Sequence, residues 1–160
     1  MKTELWEGGH RVPCLISWPN GDLAKPQAID GLTQVQDMLP TLLDLCNILT
    51  DRKFDGMSLA PVLRGRTTVP EDRMLVINYS RMPGFVNYPT PFAQTLMYRN
   101  QGEVLWKRWR LLEDRELYNL ETDPLQATNV IDKHPKVLAK LRNRLDEWWA
   151  DVGPLSLIHI

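Results

Sequence analysis

Between residues 135 and 149 the chain places Val137, Leu138, Leu141, Leu145, Trp148 and Trp149 one, three or four residues apart, with charged residues filling the gaps. An apolar stripe at that period is an amphipathic helix, and it requires a flat apolar surface to cover. Pro135 suits its first turn. The upstream segments supply the surface. Residues 74–79, 93–99, 104–112 and 116–120 read as short strands. The second and third form a hairpin around Asn100-Gln101-Gly102, and Thr122-Asp123-Pro124 stops the fourth. Residues 71–154 are thus expected to form an α+β subdomain, a four-stranded antiparallel sheet packed by one helix.

Residues 1–70 read differently. Glu7-Gly8-Gly9 feeds the apolar run Cys14-Leu15-Ile16-Ser17-Trp18, which reads as a buried strand closed by the turn Pro19-Asn20-Gly21-Asp22. Asp37 is placed to cap a helix whose Leu39, Leu42, Leu43 and Cys46 share one face, with Pro40 in its first turn. Ser58 caps a short helix through Leu63 that Gly65 ends. Cys14 and Cys46 lie inside apolar segments and read as packed thiols. A buried strand needs neighbours to pair with, so Met1 reads as an internal methionine of a longer protein. Leu155-Ser156-Leu157-Ile158-His159-Ile160 has no amphipathic logic. It can be encoded by a transposon end used in sequencing libraries, and 155–160 reads as a non-native tail.

Composition excludes several functions. The chain has 160 residues, 43% hydrophobic and 24% charged, enough to build a core. Nineteen basic against 20 acidic residues leave a net charge of −1, which argues against nucleic-acid binding through net positive charge. Trp106-Lys107-Arg108-Trp109-Arg110 mixes aromatic and basic side chains. It reads as an amphipathic strand whose basic stems lie over the sheet edge. No apolar run approaches the roughly 18 residues of a membrane span. There is no HExxH, CxxC or Walker loop. Asp37 and Asp132 read as helix caps.

Five motifs in register carry a resemblance across about residues 2–152. They are Lys2 with Glu7-Gly8-Gly9 and Arg11-Val12-Pro13; Asp37 with Pro40-Thr41-Leu42-Leu43; and Asp55-Gly56-Met57-Ser58-Leu59-Ala60-Pro61 through Gly65. Trp109-Arg110-Leu111-Leu112 then precedes Glu116-Leu117-Tyr118-Asn119-Leu120 with Asp123-Pro124, and Asn129-Val130 leads into the last helix. The chain resembles the C-terminal portion of type I, formylglycine-dependent sulfatases of the arylsulfatase kind, in the alkaline-phosphatase superfamily. The resemblance implies an α/β fragment of an alkaline-phosphatase-like fold over 1–70, the edge of the catalytic domain, followed by the α+β subdomain. It implies a sulfuric ester hydrolase that uses a formylglycine nucleophile and Ca2+, acts on a sulfated small molecule or glycan without nucleic-acid or membrane partners, and works in the periplasm or outside the cell.

The chain departs from that pattern in lacking the C/S-x-P-x-R motif that makes the nucleophile. Ser17 has Pro19 at +2 but Gly21 at +4. The aspartate-rich metal segments are absent too, so this chain alone is expected to be inactive and to bind no metal. Lys2 matches the family's sulfate-binding lysine. His10 stands where an aliphatic residue is expected, and either faces substrate or makes a loop hydrogen bond. Arg81, in the proline-rich loop 80–91, is a further substrate-binding candidate. Two other readings stand beside this one: a phosphodiesterase or phosphonate hydrolase of the same superfamily, and a non-catalytic module presenting Trp106 and Trp109 to carbohydrate or protein.

Overall fold

The computed structural model describes residues 5–78 and 97–156. The chain divides into two compact units: Met1–Val12 together with Met74–Ile160, and Pro13–Arg73. Residues 1–12 therefore group with the C-terminal unit.

The larger unit is built on strands β1 (Met74–Asn78), β2 (Gly102–Trp106), β3 (Trp109–Leu112) and β4 (Glu116–Asn119), paired antiparallel in chain order. The four-stranded sheet is as expected, but two of its strands arise differently. Residues 104–112 do not form one strand, because the chain reverses at Lys107-Arg108, where Trp106 pairs with Trp109. Lys107 takes φ +51° to make that turn. Of the strand expected at 93–99, residues 93–96 lie outside the described residues, and Arg99–Gln101 is a 3-10 turn. The basic stretch is therefore a hairpin tip and its flanks. A single amphipathic strand cannot exist there once the alternation is broken by a two-residue reversal.

Register sorts the side chains onto two faces. Val76, Val104, Leu111 and Leu117 stand in one row across the four strands. Helix α4 (Pro135–Ser156) covers that row with Leu141 and Leu145, both fully buried, and Val137, Leu138 and Trp148 pack around them. Lys140 adds a cation–π contact, its Nζ 4.1 Å from the centre of the Trp106 ring. The helix continues through Gly153 and Pro154 to Ser156, so the segment read as a tail begins inside it. At the other end, Asp132 sits in a 3-10 turn ahead of α4. Arg99 and Arg142 both bond the Asp114 carboxylate at the β3–β4 turn, and Arg99 also bonds Asp146 on α4.

The family-like motif after β4 builds its own loop. Asn129 Oδ1 accepts from the Leu117 and Ile131 amides, and Asp123 Oδ2 accepts from the Thr128 amide. These polar side chains satisfy backbone donors that no strand reaches.

In Pro13–Arg73 the helices α2 (Met38–Leu45) and α3 (Ala60–Leu63) form as expected. Gly65, at φ +69°, ends α3 in a Schellman arrangement: its amide bonds the Val62 carbonyl, and that of Arg66 bonds Pro61. Ser58 Oγ accepts from the Ala60 amide near the helix start. Four expectations fail in this unit. Residues 14–18 form no strand and are exposed, because among the described residues nothing pairs with them. Cys14 and Cys46 are both exposed free thiols. The apolar stripe of α2 is at helical spacing, yet Leu39 and Leu42 are about half exposed, at 55% and 50%.

The buried residues of α2 are instead Pro40, Thr41 and Leu45, with a polar network reaching from Thr41 to Asp37 just ahead of the helix. Asp37, fully buried, does not cap α2 with its side chain but closes a capping box with Gln34 at the 3-10 turn Val35–Asp37. Its Oδ1 accepts from the Met57 amide at 2.9 Å and Arg73 at 2.7 Å, and its Oδ2 from the Gln34 amide at 2.8 Å. Thr41 donates to the Asp37 carbonyl and accepts from the Leu59 amide. Gly56 is required where this loop meets the Asp37 segment, since a Cβ there would lie 2.1 Å from the Gln36 carbonyl oxygen.

Candidate functional site

The expected site residues lead to the sheet face opposite α4. Lys2 and Arg81 lie outside the described residues. His10 ends the short helix α1 (Glu7–His10), which follows Trp6. Trp6 rests on Tyr118 of β4, ring centres 5.4 Å apart. The Glu7 amide donates to Gln126 Oε1 at 2.9 Å. Gln126 is buried and holds φ +53°, a conformation uncommon for a side chain other than Asn or Asp.

Two strand residues meet α1. Arg110 on β3 is 3% exposed. Its Nε donates to Glu7 Oε2 at 2.8 Å, with Nη2 reaching Oε1 at 3.3 Å, a fork-on-fork pair. Its Nη1 donates to the Lys107 and Trp109 carbonyls. Glu103 on β2 is fully buried. Because Leu105 faces Arg110 and Glu103 faces Leu112, Glu103 and Arg110 are diagonal neighbours on one face. His10 Nε2 lies 2.7 Å from Glu103 Oε2, while Arg110 Nε stays 3.9 Å from Oε1.

That short contact is not a well-aligned hydrogen bond. Among the described residues, His10 Nε2 and both Glu103 oxygens have no directed partner. Burial pushes the Glu103 carboxyl above its ordinary value of 4.5, and His10 and Arg110 only partly oppose that. Glu7 goes the other way. Burial raises it, but the hydrogen bond and charge of Arg110 outweigh burial and hold it below 4.5. Tyr118 is pushed up to about 12 by burial and by its hydrogen bond to Glu116.

Sequence reasoning singled out His10 and missed Glu103, Arg110 and Gln126. One signal was available for Glu103: a carboxylate inside the apolar run Val104-Leu105-Trp106 is buried only beside a partner. Gln126 gave no signal, because it joins α1 across 119 positions of sequence.

The cluster contains charge and proton-binding groups but no exposed nucleophile, and its chemistry is that of an anchor. Among the described residues, no three His, Cys, Asp or Glu side chains converge to hold a metal ion, so these residues do not fit a calcium site. Also among them, no helix is long and apolar enough to cross a membrane.

The family described as "N-sulphoglucosamine sulphohydrolase, C-terminal" matches residues 2–151. A sulfatase of Formosa agariphila is 27% identical over 160 residues, covering 92% of this chain and 28% of that protein. Human N-acetylglucosamine-6-sulfatase is 28% identical over 180 residues, covering 96% of this chain and 32% of its own length. A solved structure of a 2-O GAG sulfatase superposes with TM-score 0.53 at 29% identity, over 72% of this chain and 24% of that one. The chain thus spans about a third or less of these relatives.

Proposed function

Because the chain belongs to the N-sulphoglucosamine sulphohydrolase C-terminal family, we propose that it is the C-terminal portion of a sulfatase that hydrolyses sulfate esters. The match over residues 2–151 carries this reading. The similarity of 72% of the chain to a 2-O GAG sulfatase supports it. The nucleophile, a formylglycine, and the Ca2+ ligands are assigned to the length of the relatives that these residues do not span. Cys14 and Cys46 lack Pro at +2 and Arg at +4, so neither is the formylglycine precursor. The exposed apolar side chains of Pro13–Arg73, Leu15, Leu39, Leu42 and Leu49 among them, support its assignment to the edge of a larger α/β catalytic domain.

Within the reaction this chain supplies Lys2. An ammonium is a compact charge with three donors, suited to holding a sulfate oxygen and to stabilising the charge that builds on it as the S–O bond breaks. The substrate class we propose is a sulfated glycan, since relatives named for N-acetylglucosamine-6-sulfate and for 2-O-sulfated GAG both act on sulfated sugars.

A substrate panel on the intact enzyme tests the reading. It comprises an aryl sulfate, 6-sulfated N-acetylglucosamine, a 2-O-sulfated disaccharide, a phosphodiester and a phosphonate monoester. Release of sulfate from at least one sulfate ester, in preference to phosphorus substrates, is expected. Preference for the phosphodiester or phosphonate would overturn the sulfatase reading in favour of the phosphorus-ester alternative.

A further inference from the structure

Charge accounting in the cluster under α1 leaves one group without an answer. Glu7 and Arg110 neutralise each other through two hydrogen bonds. Glu103 remains, fully buried, with neither oxygen in a directed hydrogen bond among the described residues. Its surroundings are Glu7 and His10 from α1, Arg110 from β3, and the apolar register partners Ile77 on β1 and Leu112 on β3. A bare carboxylate is not tolerated in such a place, least of all beside a second one. Among the described residues, the group close enough to relieve it is His10, at 2.7 Å. Nitrogen and oxygen come that close when a proton lies between them, and this is the length of a charge-assisted hydrogen bond.

We propose that His10 and Glu103 share one proton, that the resulting pair seats the Glu7–His10 turn on the sheet, and that Glu103 is thereby a positioning residue for Lys2. The proton sits on the imidazole, giving an ion pair, or on the carboxyl, giving a neutral one. Either state leaves the four-residue cluster with no net charge. Losing the proton strands a negative charge beside Glu7 and lifts the turn. Lys2 stands five residues before Glu7. Five residues of chain reach at most about 18 Å, so the seat of Glu7 limits where the lysine can act. The claim about Lys2 rests on the sulfatase reading above, and the claim about the pair does not.

The pair is tested on the 160-residue chain. Melting temperature is followed from pH 5 to 9 for the unaltered chain and for Glu103→Gln, which has no proton to lose. The unaltered chain is expected to lose stability as pH rises, and the variant to lose that dependence. Equal slopes would overturn the pair. Should Glu103→Gln fail to fold, amide exchange in the unaltered chain decides the matter. Protection of the Glu7, Gly9 and Arg11 amides should fall at alkaline pH by clearly more than that of Leu141 and Leu145, and an equal fall in all five would overturn the pair. The positioning role is read in the intact enzyme. There the alkaline limb of kcat should move to higher pH in Glu103→Gln with KM little changed, and an unshifted limb would overturn it. An intact enzyme with no sulfatase turnover in any form would count against the sulfatase reading alone, with melting and exchange still deciding the pair.

Discussion

Three segments of the unit Pro13–Arg73 meet on the carboxylate of Asp37: the turn at Gln34, the loop at Met57 and the side chain of Arg73. Asp37→Ala would leave a largely buried guanidinium and two amides without acceptors. A loss of about 3 kcal/mol or more in chemical unfolding is expected, the scale for breaking one side of a buried ion pair. Loss below about 1 kcal/mol would mean that the three segments are held by something else. The sequence marked Asp37 as important for the wrong reason, because a carboxylate before a helix looks like a cap whether it faces its own helix or three other segments. In the intact enzyme Lys2→Ala should lower kcat by about a hundred- to a thousandfold, the range for removing one group that stabilises an oxyanion. Full turnover in that variant would remove Lys2 from the site.

At the scale of elements, α4 carries the larger unit. Leu141 and Leu145 fill the middle of the sheet between Val104, Leu111 and Leu117. Leu141→Ala should cost about 2–5 kcal/mol through lost contact and the cavity left behind. Leu141→Asp should cost more, since an unpaired carboxylate would enter that contact. Melting like the unaltered chain would contradict the packing. Removing Leu155–Ile160 takes only the last residues of the helix and those beyond it, and should change stability by no more than about 0.5 kcal/mol. The helix was legible because its period is carried by six large apolar residues. The strands were legible in number but not in place. Lys107-Arg108 lacks the glycine or asparagine that usually announces a two-residue hairpin, so the reversal at φ +51° left no mark in the sequence. The stripe on α2 shows the converse limit: period identifies a helix, but burial depends on what lies opposite.

For the whole molecule, the pH dependence of stability combines opposing contributions. Glu7 and Asp114 are held below their ordinary values of 4.5 and 3.8, in each case because hydrogen bonds and charge from arginines outweigh burial. Their stabilisation is present above those values and is lost as pH falls through the lowered ones. Glu103 is raised by burial. Its contribution is complete below 4.5 and declines as pH rises through the raised value. Melting temperature should therefore pass through a maximum, with Glu7→Gln flattening the acid side and Glu103→Gln the alkaline side. A profile whose acid side is unchanged in Glu7→Gln would contradict the assignment of the Arg110 pair. The two-faced burial of the sheet that creates these opposing effects was not legible in advance, because α1 is too short to show a period and its partners lie about a hundred residues away.

On the function proposed above, this chain holds the anchoring part of a sulfatase and not its nucleophile. Sulfate released from an aryl sulfate and from 6-sulfated N-acetylglucosamine, measured side by side for the intact enzyme and for residues 1–160 alone, decides it. Turnover is expected from the intact enzyme, and none from the 160-residue chain at any calcium concentration. Metal-dependent sulfate release by the 160 residues alone would contradict the claim.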